Sequence, residues 1–322
     1  MTFWRFVVRR AVFSAVVVLV VVILTFGLIR LAPGDPAELL AGEAASPEYV
    51  KRVREDYGLD RPVYEQLIIY LSGIIRGDLG FSISFSRPVL DVILERLPQT
   101  MLLVGSAITI ALVVGILLGI LSARRAFKVQ DTVITAVTLT LYSTPVFWLG
   151  MMLILLFSLW IPIFPTGGYF DVGVEKNLTE FILNVSWHLI LPACTLSVFF
   201  LALYTRLTRA GLLDALSSNY IIGARAKGVP ERILLYKHAL KNALLPIVTV
   251  AAIQIGLMVG GVVLTEGVFS WPGVGQLLIQ AVGYRDYMLV TGIFLITAVS
   301  VSIANFAADI IYAIIDPRIR TG

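Results

Sequence analysis

The sequence predicts an all-α membrane protein with six transmembrane helices and both termini in the cytoplasm. Of its 322 residues, 58% are hydrophobic and only 14% are charged, whereas a soluble domain of this length needs more charge to cover its surface. The long apolar runs are continuous and lack the period-two alternation of a membrane barrel. Helices are therefore the spanning elements, because a helix satisfies its own backbone polar groups in lipid.

Six stretches without Asp, Glu, Lys or Arg can each cross a hydrocarbon core of about 30 Å, which takes roughly 20 helical residues. They cover residues 11–29, 100–123, 132–170, 181–205, 242–265 and 287–308. The first follows Arg5, Arg9 and Arg10, as the apolar core of a signal peptide would. Its 19 residues exceed the roughly 7 to 15 of such cores, so we expect an uncleaved first helix.

The third stretch is longer than one span. We expect its helix to end near Trp160, because helix breakers such as Pro162 and Gly167 follow. Pro145 in this span and Pro192 in the fourth either kink their helices or form static bends that neighbouring helices pack.

The basic residues indicate the orientation, because Lys and Arg in short loops stay on the cytoplasmic side. Fifteen of them lie in the N-terminal arm, the second and fourth connections and the C-terminus: Arg5, Arg9, Arg10, Arg124, Arg125, Lys128, Arg206, Arg209, Arg225, Lys227, Arg232, Lys237, Lys241, Arg318 and Arg320. The third and fifth connections carry only Lys176 and Arg285. The first connection, residues 33–98, carries seven, but loops of this length cross the membrane regardless of charge.

The first connection also contains apolar positions at helical spacing. One set begins at Val50 and Val53 and another at Tyr64 and Leu67, with Pro62 between them. This pattern predicts two or three short amphipathic helices on the external face. They cap the bundle or contact a partner that delivers substrate, and the sequence leaves both roles open.

The fourth connection contains a short helix followed by a tight corner. Asn219 is a suitable N-cap for a helix over residues 220–227. Gly228 supplies the left-handed residue that ends this helix, and Pro230 with Glu231 begins the next one. This basic elbow either rests on anionic lipid headgroups or docks on a partner protein.

The run YIIGARAKGVPERILLYKHALKNALLP, residues 220–246, resembles the cytoplasmic loop of permease subunits of ABC importers, and most closely the dipeptide and oligopeptide permease family. The general loop motif begins Glu-Ala-Ala, where this chain has Ile222, Gly223 and Ala224, a departure typical of the peptide branch. Four further segments follow the family in order: LIRLAPGDPAELL (28–40), YGLDRPVYEQ (57–66), GDLGFSISFSRPV (77–89) and TEGVFSWPGVGQLL (265–278).

The resemblance implies the type I ABC importer permease architecture. Residues 1–32 would form a cytoplasmic arm and the first helix, 33–97 an extracytoplasmic region with short helices, 98–313 the transmembrane core, and 314–322 a cytoplasmic tail. The core would contain a coupling loop, 206–243, whose helix ending at Gly228 docks into a cleft of an ATPase subunit. The coupling residues would be Ala224, Arg225, Lys227, Gly228 and Glu231.

The resemblance also implies the partners. These are a second related permease subunit, two ATPase subunits that bind the ATP, an extracytoplasmic substrate-binding protein and the lipid bilayer of a prokaryotic cell membrane, with no nucleic acid. Dipeptides or oligopeptides are the expected cargo, and oligosaccharides, nickel chelates and glutathione are the alternatives. No substrate-contacting residue is assigned.

Several chemistries are excluded by the sequence. It contains no phosphate loop of the form G-x-x-x-x-G-K-[ST] and no HExxH, so neither ATP hydrolysis nor catalysis is expected of this chain, and no cofactor. A single cysteine, Cys194, and two histidines, His188 and His238, exclude an intrachain disulfide and a Cys/His metal cage.

A self-contained secondary transporter is the alternative class. Such proteins usually hold ionisable residues within their spans and often show an internal repeat. Here the only candidates are Arg30, Glu266 and Asp309, all near predicted helix ends, and no repeat is visible.

Overall fold

A computed structural model of the chain describes residues 3–31, 35–41, 45–56, 59–174 and 177–315. Its elements are α1 (Phe3–Leu31), α2 (Pro36–Ala41), α3 (Pro47–Asp56), α4 (Val63–Ile75), β1 (Phe81–Ser82), β2 (Arg87–Pro88), α5 (Val89–Arg124), α6 (Val129–Ser143), α7 (Val146–Ile154), α8 (Leu178–Ser217), α9 (Asn219–Ala226), α10 (Glu231–Ile233), α11 (Leu240–Val268), α12 (Val274–Gly283) and α13 (Tyr287–Ile315). Two π-helical segments, Leu155–Trp160 and Leu234–Ala239, continue α7 and α10.

Four helical segments are long and apolar enough to cross a membrane, namely Trp4–Gly27, Val89–Arg124, Leu178–Ser217 and Tyr287–Ala307. A fifth span results if α6 and the helix after it are one broken span. The chain is thus a mostly helical protein with four or five candidate spans among the described residues, where the sequence predicts six. The remaining predicted stretch, residues 242–265, lies within α11.

The third predicted stretch is bent rather than straight. The segments Val129–Ser143 and Val146–Trp160 meet at 102°, with Pro145 as the N-cap of the second. Pro145 therefore marks a true break, because proline cannot donate the backbone hydrogen bond that would continue α6. The predicted end near Trp160 is confirmed. Pro192, in contrast, lies inside the uninterrupted helix α8.

The first connection forms the predicted short helices, α2, α3 and α4, together with a hairpin that the sequence did not predict. Strands β1 and β2 pair antiparallel, so the expectation of an entirely helical chain is wrong in this detail. Asp286 fixes the hairpin, since its carboxylate accepts hydrogen bonds from the Ser82 Oγ at 2.6 Å and the Ser84 backbone N–H at 3.2 Å. Helix α5 follows directly and begins at Val89, before the uncharged stretch.

The chain divides into two compact units. The first comprises Met1–Thr100 and Pro272–Phe306 and has its own core of buried apolar side chains, among them Val92, Ile93, Leu277 and Leu289. The second includes Met101–Trp271 and contains two further apolar clusters.

Within the second unit, α5 and α8 approach closely at two glycines spaced by four residues. A Cβ on Gly115 would lie 2.7 Å from the Cβ of Tyr204, and one on Gly119 would lie 2.4 Å from the Cβ of Thr208. Only glycine permits this approach. Small residues at this spacing commonly let membrane helices pack, because helix association in lipid depends on close van der Waals contact.

Candidate functional site

The elbow predicted from residues 219–246 begins one residue earlier than expected. Ser218 occupies the N-cap of α9 with extended dihedral angles, and its carbonyl accepts hydrogen bonds from the backbone N–H groups of Ile221 and Ile222, each at 3.1 Å. Asn219 is the first helical residue, so its predicted capping role is wrong. The Ser218 Oγ donates back to the Ala215 carbonyl of α8 and makes no cap hydrogen bond.

The end of α9 forms a Schellman motif. Gly228 has φ +80°, which confirms the left-handed residue predicted from the sequence. Its backbone N–H donates to the Arg225 carbonyl at 3.0 Å, and the N–H of Val229 donates to the Ala224 carbonyl at 3.3 Å. Val229 and Ala224 also pack on the same apolar cluster, which is the hydrophobic contact that accompanies this motif. The corner is therefore closed by both hydrogen bonds and packing.

Beyond the corner the chain returns to the membrane as one helix. Pro230 (φ −58°, ψ 140°) is the N-cap of α10, and Glu231 takes the first helical position that the sequence assigned to the proline. The backbone N–H groups of Ile233 and Leu234 donate to the Pro230 carbonyl at 2.9 and 3.1 Å. The π-helical segment then leads without a gap into α11.

A buried cluster anchors the elbow to the ends of the long helices. Ile221 of α9 and Leu234 after the corner are both fully buried, together with Leu212 of α8. The complete cluster is Ile120, Ala123, Leu212, Ala215, Ile221, Leu234, Leu235, Ala239 and Ala243. Because a buried aliphatic side chain contributes about 1.5–3 kcal/mol, this packing fixes α9 relative to α5 and α8.

An exposed ion pair joins the two sides of the corner. The Arg225 guanidinium donates to the two carboxylate oxygens of Glu231 at 2.5 and 3.3 Å. This hydrogen bonding lowers the pKa of Glu231 and raises the pKa of Arg225, so both groups are charged at neutral pH. The two side chains are 46% and 67% exposed, so the pair contributes little to the stability of the fold.

The outward face of the elbow combines apolar and basic side chains. Tyr220, Ile222, Ile233 and Tyr236 are between 44% and 51% exposed. Of the predicted coupling residues, Arg225, Lys227, Gly228 and Glu231 are exposed, whereas Ala224 is half-buried. An exposed apolar patch with a charged rim is typical of a protein-binding surface.

A second charged contact, which the sequence analysis missed, holds α8 just before the elbow. The Arg209 Nε and Nη2 donate to the two carboxylate oxygens of Asp131 at 2.8 and 2.7 Å. Asp131 is only 5% exposed and also accepts hydrogen bonds from the Ser122 Oγ and the Phe127 backbone N–H. The carboxylate thereby joins α5, α6 and α8. We call these four residues the Asp131 clasp.

The structure describes the side chains of two of the three ionisable residues considered for a secondary transporter. Glu266 is fully buried near the end of α11 and Asp309 is half-buried in α13, while the side chain of Arg30 lies outside the described residues. Within the described residues, no group of three or more His, Cys, Asp or Glu side chains could hold a metal ion.

Two family models together match nearly the whole chain. The family described as "Binding-protein-dependent transport system inner membrane component" matches residues 115–321, and its N-terminal counterpart matches residues 3–104. The oligopeptide transport system permease protein AppB of Bacillus subtilis is 39% identical over 316 residues, covering 98% of this chain and 99% of that protein.

Two proteins of Escherichia coli are similarly related. The probable D,D-dipeptide transport system permease protein DdpB is 39% identical over 337 residues, covering 100% of this chain and 99% of that protein. The dipeptide transport system permease protein DppB is 37% identical over 334 residues, covering 98% of each.

Proposed function

The chain belongs to the family of inner membrane components of binding-protein-dependent transport systems, and we propose that it forms half of the pathway by which an ATP-driven importer takes up peptides. It is a membrane-embedded transport subunit and not an enzyme. Relatives that match it over its full length are named as oligopeptide, dipeptide and D,D-dipeptide permeases, which supports dipeptides or oligopeptides as cargo. Oligosaccharides, nickel chelates and glutathione are the alternative cargoes.

The observation that carries this proposal is the elbow around α9. A helix of only eight residues is held by a buried isoleucine, Ile221, and closed by a Schellman motif at Gly228. Tyr220 and Ile222, on either side of Ile221, are exposed. A rigid, projecting helix with exposed apolar side chains suits insertion into a cleft of another protein. We assign this helix to the contact with an ATPase subunit.

The proposed architecture has six spans, with α11 as the fifth and α13 as the sixth. Both termini would lie in the cytoplasm, consistent with the Lys and Arg distribution. Residues 1–32 would be the arm and first span, 33–97 the extracytoplasmic region, 98–313 the core with its coupling loop at 206–243, and 314–322 the tail.

The complete importer would contain a second related permease, two ATPase subunits and an extracytoplasmic binding protein. ATP would bind to the partner subunits, so this chain itself would hold no cofactor. Closure of the ATPases on ATP would move the coupling helices, and the loaded binding protein would favour the outward-open state. Such coupling requires only that each ligand binds one of two states more tightly.

The direct test replaces residues at the corner in the reconstituted importer. Gly228→Val cannot adopt the left-handed conformation without strain, and Glu231→Lys places a second cation beside Arg225. Both variants should insert and express normally, yet take up fewer peptide molecules per ATP hydrolysed. Gly105→Ala on α5 serves as the control, since it lies outside the elbow, a Cβ there meets nothing within 4 Å, and its helical conformation suits alanine. Normal coupling in both corner variants, at normal expression, would contradict the assignment.

A further inference from the structure

A groove runs between α6 and α8 within the second unit. The two helices are antiparallel, because the Asp131 carboxylate meets Arg209 at one end while the rings of Tyr142 and Phe199 stand 5.5 Å apart at the other. From Asp131 to Tyr142 the helix α6 rises by about 16 Å. The groove therefore extends through much of one membrane leaflet from the cytoplasmic end of α6.

Two adjoining cavities of about 360 and 200 Å³ fill this groove. Leu139, Ala202 and Arg206 line both of them, Thr135 lines the larger, and Tyr142 lines the smaller. From its cytoplasmic end, the groove is lined first by the Arg206 guanidinium, then by aliphatic side chains, and then by the rings of Tyr142 and Phe199. Together the cavities match the volume of a small-molecule site.

The two arginines in the groove are in different states. Arg209 is neutralised by Asp131 through two hydrogen bonds. Arg206 lies one helical turn deeper, is exposed, and has no hydrogen bond or ion pair with any residue in the described parts of the chain. Its positive charge is therefore available to a ligand.

The exposed surface of α6 has two different faces. Val133 and Val137, each 52% exposed, form an aliphatic face suited to lipid. Thr135, Leu139 and Tyr142 are exposed on the other side and line the groove. Arg206, at the boundary between the fourth predicted span and the coupling loop, lines this groove, and a charged side chain is unfavourable against lipid. The groove face is therefore the side of α6 that suits water.

We propose that this groove lines the peptide pathway of the importer and that the Arg206 guanidinium binds the terminal carboxylate of the passing peptide. A guanidinium recognises a carboxylate through two parallel hydrogen bonds. The rise of α6 from Thr135 to Tyr142 is about 10 Å, the length of roughly three extended residues, so Tyr142 and Phe199 contact the side chains of a short peptide. This inference rests on the proposed function and adds to it a substrate-binding residue.

The first test measures water access with thiol reagents in the assembled importer. In a Cys194→Ala background, Thr135→Cys and Leu139→Cys report on the groove face, and Val133→Cys and Val137→Cys are the matched controls on the aliphatic face. Anionic sulfonatoethyl and cationic trimethylammonioethyl methanethiosulfonate are the probes. We expect groove cysteines to react about tenfold faster than the controls. At Thr135→Cys, the ratio of the labelling rate of the anionic reagent to that of the cationic reagent should fall about tenfold when Arg206→Gln is added. The ratio should stay the same when Arg206→Lys is added.

The second test measures uptake of trialanine by proteoliposomes that contain the complete importer, as the concentration of loaded binding protein is raised to saturation. Arg206→Gln should lower uptake per ATP about tenfold. The concentration of binding protein that gives half-maximal uptake should stay unchanged, because Arg206 lies near the cytoplasmic end of the groove. Arg206→Lys should restore part of the uptake, because an ammonium keeps the positive charge but not the two parallel hydrogen bonds.

Three results would overturn the inference. Equal labelling of both faces would show that the groove is not a separate aqueous path, and normal trialanine uptake by Arg206→Gln would remove its role in binding. The groove would instead bind a lipid headgroup if two results occurred together. The groove cysteines would not react with the reagents, and phosphatidylglycerol would co-purify with the wild type but not with Arg206→Gln. If the wild-type importer transports no peptide, the proposed function fails, and the labelling pattern still decides whether the groove is an aqueous path.

Discussion

At the scale of single residues, the Asp131 clasp was invisible in the sequence because its two ends lie 78 positions apart. Charge counting assigned Arg209 to the cytoplasmic side, but it treats every basic residue alike. Only the fold distinguishes Arg209, which pairs with Asp131, from Arg206, which has no such partner in the described residues. A contact between residues far apart in the sequence leaves no periodic pattern, so the sequence analysis could not predict this one.

The clasp should stabilise the second unit. Asp131→Asn leaves the half-buried Arg209 without its counter-charge and should lower the free energy of unfolding by about 3 kcal/mol. Thermal unfolding of the detergent-solubilised protein measures this loss. In a double-mutant cycle with Arg209→Gln, the double variant should lose less than the sum of the single losses. Additive losses would show that the two side chains do not interact.

The ion pair between Arg225 and Glu231 predicts a pH dependence. Because Arg225 lowers the pKa of Glu231, the pair is complete above the ordinary carboxyl pKa of 4.5 and is lost as the pH falls through the lowered value. Spin labels at the exposed positions Ile222 and Ile233 should give a narrow distance distribution at neutral pH that broadens only in strong acid. Glu231→Gln should broaden it at every pH. Identical distributions for the two proteins would exclude a role for the pair in shaping the corner.

At the scale of elements, the corner after α9 was predicted well and its beginning less well. Gly228 was identifiable because few residues other than glycine end a helix in the left-handed region. The N-cap was predicted at Asn219, whereas it is Ser218. Serine and asparagine cap helices equally well, so residue type alone cannot choose between two neighbouring candidates. The hairpin β1–β2 was missed because two-residue strands carry no alternation to detect.

Gly223 within α9 and Gly228 just after it should respond in opposite directions to alanine. Gly228→Ala strains a residue at φ +80° by about 1 kcal/mol, although a Cβ there meets nothing within 4 Å. Gly223→Ala should stabilise the helix by a similar amount, about 1 kcal/mol. Hydrogen exchange of the α9 amides should therefore become faster in the first variant and slower in the second. Equal exchange in both would contradict the Schellman geometry.

The packing of α5 on α8 should not tolerate a side chain at Gly119. A Cβ there would lie 2.4 Å from the Thr208 Cβ and 2.8 Å from the Thr205 carbonyl oxygen. Gly119→Leu should therefore abolish the recovery of monodisperse protein, because backbone would have to move. Gly105→Leu is the matched control on the same helix, where a Cβ meets nothing within 4 Å. Similar recovery of the two variants would refute this packing.

At the scale of the whole molecule, the sequence predicted the membrane class and the positions of the four or five candidate spans, because burial in lipid requires long apolar runs. It did not predict the 102° bend at Pro145, since proline also occurs in static, mild bends. It also could not predict the groove between α6 and α8, which depends on how two distant helices pack. The residues proposed to bind substrate therefore came from the structure alone.

The central claim is that this chain transports only as part of an ATP-driven assembly. The most direct measurement is to purify the tagged chain from its own membranes, identify the co-purifying polypeptides by mass spectrometry, and reconstitute the preparation into proteoliposomes. We expect a second permease and one or two ATPases that carry a phosphate loop, with uptake that requires both ATP and the binding protein. A chain that is recovered without any ATPase and still drives uptake from an ion gradient would contradict this account and indicate a secondary transporter.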